Sequence, residues 1–288
     1  MTGTLHRATV AVAALALTGL VAGCGGGFSS APPSPPHQTV ESYVALGDDF
    51  TAAAAAGASP GDDSCARSDK NYPSLVAEDL HIKSHRDVSC PGATTASITS
   101  KTDVTKDQSV PPQIDAVDKD TDLVTMGIGL EDRDLVQHAF QICLATPCGS
   151  KILPQTVLSD LTAMSDALAA AVRAVQDKAP DSDIVVVGYP TIAPESGTCD
   201  DLPDVEQPNL DAANQVLDEI NRELRSTARE TGASYLDVAR LSTGHELCSG
   251  EPWVEAEKGK KGQPTTYRPV PAEQRAVADA LIELVKSH

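Results

Sequence analysis

Basic residues are scarce in this 288-residue chain: Lys and Arg number 22 against 41 Asp and Glu, for a formal net charge of −19. That balance works against DNA, RNA and anionic headgroups as electrostatic partners, and the acidic excess reads as a solvated surface. The chain also lacks any CxxC pair, the spacing on which most thiolate zinc sites are built. It has no internal repeat and no second hydrophobic segment after the N-terminal one. That segment, Ala8 to Val21, is too short and too rich in small residues to cross a bilayer comfortably. The single tryptophan, Trp253, reads as a packing residue rather than a ligand platform.

What the N-terminus does contain is a processing signal. His6 and Arg7 give a weakly basic start, and the apolar run ends in Leu20-Val21-Ala22-Gly23-Cys24, which resembles a bacterial lipobox. The expected organisation is a signal peptide over residues 1–23, a lipidated Cys24 with a tether over 24–40, and one domain over 41–288. An ordinary secretory signal is the alternative. A diacylglyceryl cysteine gains about 0.8 kcal/mol per buried CH₂, so two acyl chains anchor stably. The expected location is therefore the outer face of a bacterial cell membrane, held by lipid. Loss of Arg7 with the leader takes the net charge from −19 to −20. Gly25 to Val40, with Pro32, Pro33, Pro35 and Pro36, reads as a partly extended linker. With Cys24 assigned to lipid, Cys65, Cys90, Cys143, Cys148, Cys199 and Cys248 remain. An even number in an exported chain reads as three disulfides, and six cysteines allow 15 connectivities.

The rest of the chain alternates short apolar runs with helical periodicity. Val44 to Leu46, His85 to Ser89, Asp122 to Gly127, Ile184 to Val187 and Ser234 to Val238 read as strands. A helical pattern starts at Tyr72-Pro73. Val157 to Lys178 carries apolar residues at helical spacing and stops before Pro180. Leu210 to Thr231 is amphipathic, with Gly232 as its C-cap, and Ala272 to Lys286 closes the chain. Strands alternating with long helices predict an α/β fold, a parallel sheet covered on both faces. Chemistry in such a sheet sits beyond the strands' carboxyl ends. The turns at Gly47 and at Gly127–Asp132 both fall there.

Four blocks at these positions carry a family resemblance. They are YVALGDDFTAAAAAG from Tyr43, Ser89-Cys90-Pro91-Gly92-Ala93-Thr94-Thr95, Gly127-Ile128-Gly129-Leu130-Glu131-Asp132, and Tyr267 to Gln274. Asn71-Tyr72-Pro73, Gly188-Tyr189-Pro190 and Gly244-His245 add framework matches. Together they resemble the SGNH (GDSL-type) hydrolases, in the branch of secreted actinobacterial esterases and lipases. The resemblance implies a three-layer α/β/α sandwich with a central, mostly parallel sheet. It also implies the pairing Cys65–Cys90, Cys143–Cys148 and Cys199–Cys248, and no cofactor.

Carried over position by position, the family's serine nucleophile falls on Asp49, and its oxyanion glycine on Gly92, which is retained. Its oxyanion asparagine falls on Glu131 and its histidine base on Arg268. The aspartate that often precedes that histidine falls on Thr265. Asp49 has no hydroxyl, Arg268 stays protonated, and an ionised Glu131 repels an oxyanion. Leu130 stands where a small glycine is common and is expected to narrow the pocket. An Asp49–Arg268 ion pair, with Glu131 sharing the guanidinium, is expected to replace the serine–histidine contact. Asp48, Asp49, Glu131 and Asp132 gathering a hard cation is a competing arrangement, against which Arg268 argues. Asp48 and Asp132 otherwise serve as turn-bonding residues. His245 reads as structural, and His81, His85 and His138 have no nucleophile in register.

These replacements predict a catalytically inactive, surface-anchored lipoprotein, monomeric, that binds a small molecule, glycan, lipid or envelope protein. The alternative is an esterase or lipase that hydrolyses acyl esters weakly or through rearranged residues.

Overall fold

A computed structural model describes residues 39–57, 64–105, 108–136, 155–202, 205–257 and 266–287. All of them fall in the compact unit His37–His288. Its centre is a five-stranded sheet built from β1 (Ser42–Gly47), β2 (Ser84–Asp87), β5 (Leu123–Gly127), β6 (Asp183–Val187) and β7 (Ser234–Leu236), in the order β2-β1-β5-β6-β7. Every pairing in it is parallel. β5 is buried along its whole length and β6 beyond its first residue, as strands with both faces covered must be.

The covering helices divide between the two faces. On one, α3 (Gln155–Lys178) packs on α4 (Gln207–Thr231). Leu161, Met164, Leu168 and Val172 of α3, with Val216, Ile220 and Leu224 of α4, join Val44, Leu46, Val124, Met126 and Val186 in one core. On the other face, α2 (Tyr72–Asp79) packs on α6 (Pro271–Lys286). There Val76, Val277 and Leu281 meet Tyr43, Ala45, Leu123 and Val185. Alternate residues of each strand thus feed opposite cores. The architecture is the three-layer α/β/α sandwich with a parallel sheet.

Local chemistry sets the boundaries. Asn71 caps α2 by accepting from the Ser74 N–H, and Pro73 occupies its first turn, where a missing N–H costs nothing. Gly232 ends α4 with φ of 78°, a left-handed cap that glycine adopts without strain. β7 is shorter than expected: Asp237 caps a new turn of helix, α5 (Val238–Leu241), by accepting from the Arg240 N–H. Two antiparallel hairpins, β3–β4 (Thr102–Thr105 with Gln108–Val110) and β8–β9 (Val254–Glu257 with Thr266–Pro269), stand outside the main sheet. β9 carries Arg268.

Candidate active site

The site forms where β1 and β5 end. Gly47 and Gly127 pair across those strands, and a Cβ at either would run into Thr51 Oγ1. With both positions bare, Thr51 reaches the Gly127 carbonyl at 3.1 Å and locks the turn. From the opposite side Gln113 clamps Gly47, accepting from its N–H at 2.8 Å and donating to its carbonyl at 2.9 Å. The Asp48 N–H bonds the Gly127 carbonyl at 3.0 Å. The chain then turns into the short helix α1 (Asp49–Ala52), capped by Asp48 through the Phe50 N–H.

Asp48 is fully buried. Its second oxygen accepts from the Tyr189 hydroxyl at 2.6 Å. Burial and the adjacent Asp49 push its carboxyl well above the usual range, and the tyrosine donor opposes them. Asp49, half-buried, points to the cavity instead. The Gly92 N–H donates to its Oδ1 at 2.8 Å. Gly92 has φ of 74°, which suits a residue without a Cβ and aims the amide at Asp49. The glycine retained for an oxyanion therefore holds the carboxylate that stands in place of the nucleophile. Asp49 lies above its ordinary pKa because of burial, with the Gly92 amide and then the Arg268 charge pulling the other way.

Asp49 and Arg268 line the same cavity of about 110 Å³, together with Ala54, Pro91 and Tyr267. At ~30 Å³ of liquid volume per water, this holds several waters. The positive charge of Arg268 lowers the proton affinity of Asp49. The forces on Glu131 differ: burial, then Asp49, Asp134 and Asp132, raise it to about 7. Burial is thus the largest influence on its proton affinity, and the neighbouring carboxylates add to it.

Asp132 is committed elsewhere. It accepts from the Thr95 N–H at 2.7 Å and from the Thr95 hydroxyl at 2.5 Å, fixing the segment that follows Gly92. Asp48, Asp49 and Asp132 thus each meet different donors rather than converging on one cation. Among the described residues no group of three His, Cys, Asp or Glu is arranged to hold a metal ion. Leu130 does not narrow the cavity as expected, because its side chain is buried in the α3–α4 core.

Two disulfides, Cys65–Cys90 and Cys199–Cys248, join the residues that the resemblance paired. The first immediately precedes Pro91-Gly92. Cys24, Cys143, Cys148, His138 and Thr265 lie outside the described residues. His245 stacks on Trp253 at 4.4 Å, and its Nδ1 bonds the Glu251 carbonyl. Sequence reasoning missed Gln113, whose buried side chain holds Gly47 from 66 positions away. It also missed Gln274, which accepts from the Tyr72 N–H at 2.6 Å and donates to the Phe50 carbonyl at 3.0 Å. A buried glutamine opening α6, within a block already singled out, was the available signal.

Comparison with known proteins places this geometry. The family model for GDSL-like lipases/acylhydrolases matches residues 45–260. A lipase of Streptomyces rimosus is 30% identical over 261 residues, covering 88% of this chain and 89% of the relative. Lipase 1 of Streptomyces coelicolor is 32% identical over 248 residues, covering 83% and 86%. Among solved structures, phospholipase A1 from Streptomyces albidoflavus superposes with a TM-score of 0.68 at 27% identity, over 85% of this chain and 99% of that one. The extracellular lipase of Streptomyces rimosus does so with 0.64 at 26% identity, over 84% and 98%. The chain belongs to the GDSL-like lipase/acylhydrolase family. This overturns the expectation of a catalytically inactive binding protein: the relatives that match most of its length are named as lipases, and the likeness supports an ester hydrolase.

Proposed function

We propose that this family member hydrolyses carboxylic esters through a rearranged set of carboxylates, more slowly than a serine-based site would. One observation carries the reading: in a chain 30% identical to a lipase, the Asp49 carboxylate occupies the nucleophile's place, oriented at 2.8 Å by the Gly92 N–H and facing a cavity shared with Arg268. Asp49 is suited to act as a general base. Glu131, with a pKa of about 7, is suited to hold a proton at neutral pH. Two carboxyl groups whose surroundings give them different proton affinities divide acid and base roles between them.

The reaction balances as follows. A water in the cavity gives a proton to Asp49 as its oxygen bonds the acyl carbon. The carbonyl π pair moves onto oxygen, and the Arg268 guanidinium stabilises that charge. Collapse breaks the ester C–O bond, and the leaving alkoxide takes the proton of Glu131. The products are a carboxylic acid and an alcohol, and return of the Asp49 proton to Glu131 through solvent resets the site. In this scheme Asp49 acts as a base rather than a nucleophile, so water attacks directly and no acyl-enzyme forms.

Purified full chain assayed on p-nitrophenyl acetate and butyrate tests this. Saturable hydrolysis that Asp49→Asn reduces by ~10² or more is expected, since a positioned base contributes ~10²–10⁴. Equal rates in the two proteins would contradict it. The lipobox-like segment ending at Cys24 further supports a proposed location outside the cytoplasmic membrane with an acylated Cys24. Partition into detergent by the wild type and not by Cys24→Ser is the expected result, and equal partition would refute it.

A further inference from the structure

We infer that the hydroxyl of Tyr189 is a positioning group for the carboxylate pair, holding the Glu131 turn against the Asp48-Asp49 turn. The inference rests on the reading above, in which Asp49 and Glu131 divide the proton transfers. Tyr189 follows β6 and touches neither the cavity nor any reacting atom, yet it connects both turns that carry the pair. The Leu130 N–H donates to its Oη at 3.1 Å, and its O–H donates to Asp48 Oδ2 at 2.6 Å. Leu130 immediately precedes Glu131, and Asp48 immediately precedes Asp49. One oxygen thus sets the separation between two backbone segments that the sheet alone leaves free beyond their last paired residues.

The hydroxyl is itself firmly placed. Tyr189 is 1% exposed, and its ring meets Phe50 edge-on at 5.6 Å. Asn221 of α4 grips its backbone from both sides, accepting from its N–H at 2.8 Å and donating to its carbonyl at 3.0 Å. Gly188 sits where a Cβ would crowd the Asn221 amide and the Tyr235 hydroxyl, so the segment lies close against α4. A ring held by packing and a backbone held by an amide leave the Oη with one place to be. Fixing of this kind, in which packing and further hydrogen bonds lock the groups behind a site, is what catalytic geometry requires.

The titratable groups acting on Glu131 are Asp49 from the β1 turn and its own neighbours Asp134 and Asp132; Glu131 in turn raises Asp48. Burial is the largest influence on Glu131. If Tyr189 holds that turn in place, removing its hydroxyl lets the turn relax toward water and returns Glu131 toward its ordinary proton affinity.

Tyr189→Phe keeps the ring and its contact with Phe50, and deletes only the bridge. The expected results are a fall in kcat of ~10–10²-fold, the scale of a misplacement of about 1 Å, with KM unchanged. The alkaline limb of the pH–rate profile should also move to lower pH. A substitution that merely destabilised the fold would lower the yield of active protein and leave the profile where it was. Carboxyl ¹³C NMR of Glu131 gives a readout independent of turnover: its titration midpoint should fall from near 7 in the wild type to a lower value in Tyr189→Phe. An unchanged midpoint and profile would overturn the inference. Asn221→Ser, which loosens the tyrosine backbone and leaves the hydroxyl, should shift both in the same direction by less, and no shift in either variant would also overturn it. If neither protein hydrolyses esters at any pH, the ester-hydrolase reading fails while the NMR titration still judges the bridge.

Discussion

Two pairs of carboxylates near the site are a residue apart in sequence and opposite in circumstance. Asp48 and Asp132 are buried, and each uses both oxygens on protein donors: Tyr189 and the Phe50 amide for one, the amide and hydroxyl of Thr95 for the other. Asp49 and Glu131 are placed otherwise. Asp49 meets the Gly92 amide and the charge of Arg268, and Glu131 is surrounded by burial and negative charge. A buried carboxylate with matched donors fixes loops; one with few donors beside a cavity is left with an affinity for protons that chemistry can use. Asp48 and Asp132 are scaffold. Asp49 and Glu131 are the candidate machinery.

Substitutions in the two pairs should separate accordingly. Asp49→Asn should abolish most turnover, by ~10² or more, with little change in melting temperature, because the amide oxygen can still accept from Gly92. Arg268→Gln comes next, with a loss of ~10–10² if it holds the oxyanion. Because its charge pulls the Asp49 pKa down, the acidic limb of the pH–rate profile should move to higher pH. Asp132→Ala should do the reverse of Asp49→Asn. It removes both hydrogen bonds to Thr95, so a loss of ~1–3 kcal/mol in denaturant unfolding is expected, with most turnover retained and the alkaline limb moved slightly to lower pH, because Asp132 is the least of the carboxylates that raise Glu131. If stability and turnover fall together in all three, the division between scaffold and machinery is wrong.

A last effect, on stability and not on turnover, tests the electrostatics away from the cavity. Glu273, in the first turn of α6, is 3% exposed and is held by burial at about 8, with the Gln274 hydrogen bond opposing. The folded protein keeps this proton after the unfolded chain has lost it. Stability should therefore decline as pH rises from the ordinary glutamate range toward about 8, then level off. Glu273→Gln should flatten that part of the melting temperature's pH dependence, as followed by calorimetry.

Much of the frame was legible because it is periodic. β5 is an unbroken apolar run, and α3 repeats its buried residues at helical spacing, so burial and pattern point the same way. The two hairpins escaped notice for the opposite reason. Thr102–Thr105 and Val254–Glu257 are four residues each, stand outside the main sheet, and carry none of the Asn-Gly or Asp-Gly signals that announce a tight turn. At the site, the identities of Asp49, Gly92, Glu131 and Arg268 were readable from block order. What they do to one another was not. Ion-pair chemistry drew attention to Arg268, and gave no sign that burial and three carboxylates would raise Glu131. Leu130 was judged by size alone, and the backbone sends it into the core. Tyr189 and Asp48 are 141 positions apart, and no local pattern announces such a bond.

The pH dependence of kcat/KM for p-nitrophenyl butyrate, measured for the wild type and for Glu131→Gln, bears most directly on the claim that Asp49 and Glu131 divide the proton transfers. The wild type should show a bell on the acid side of neutrality, its alkaline limb close to the Glu131 value of about 7, and that limb should be missing from the variant. A wild-type rate that climbs through pH 7 to an alkaline plateau, matched by Glu131→Gln, would contradict the account.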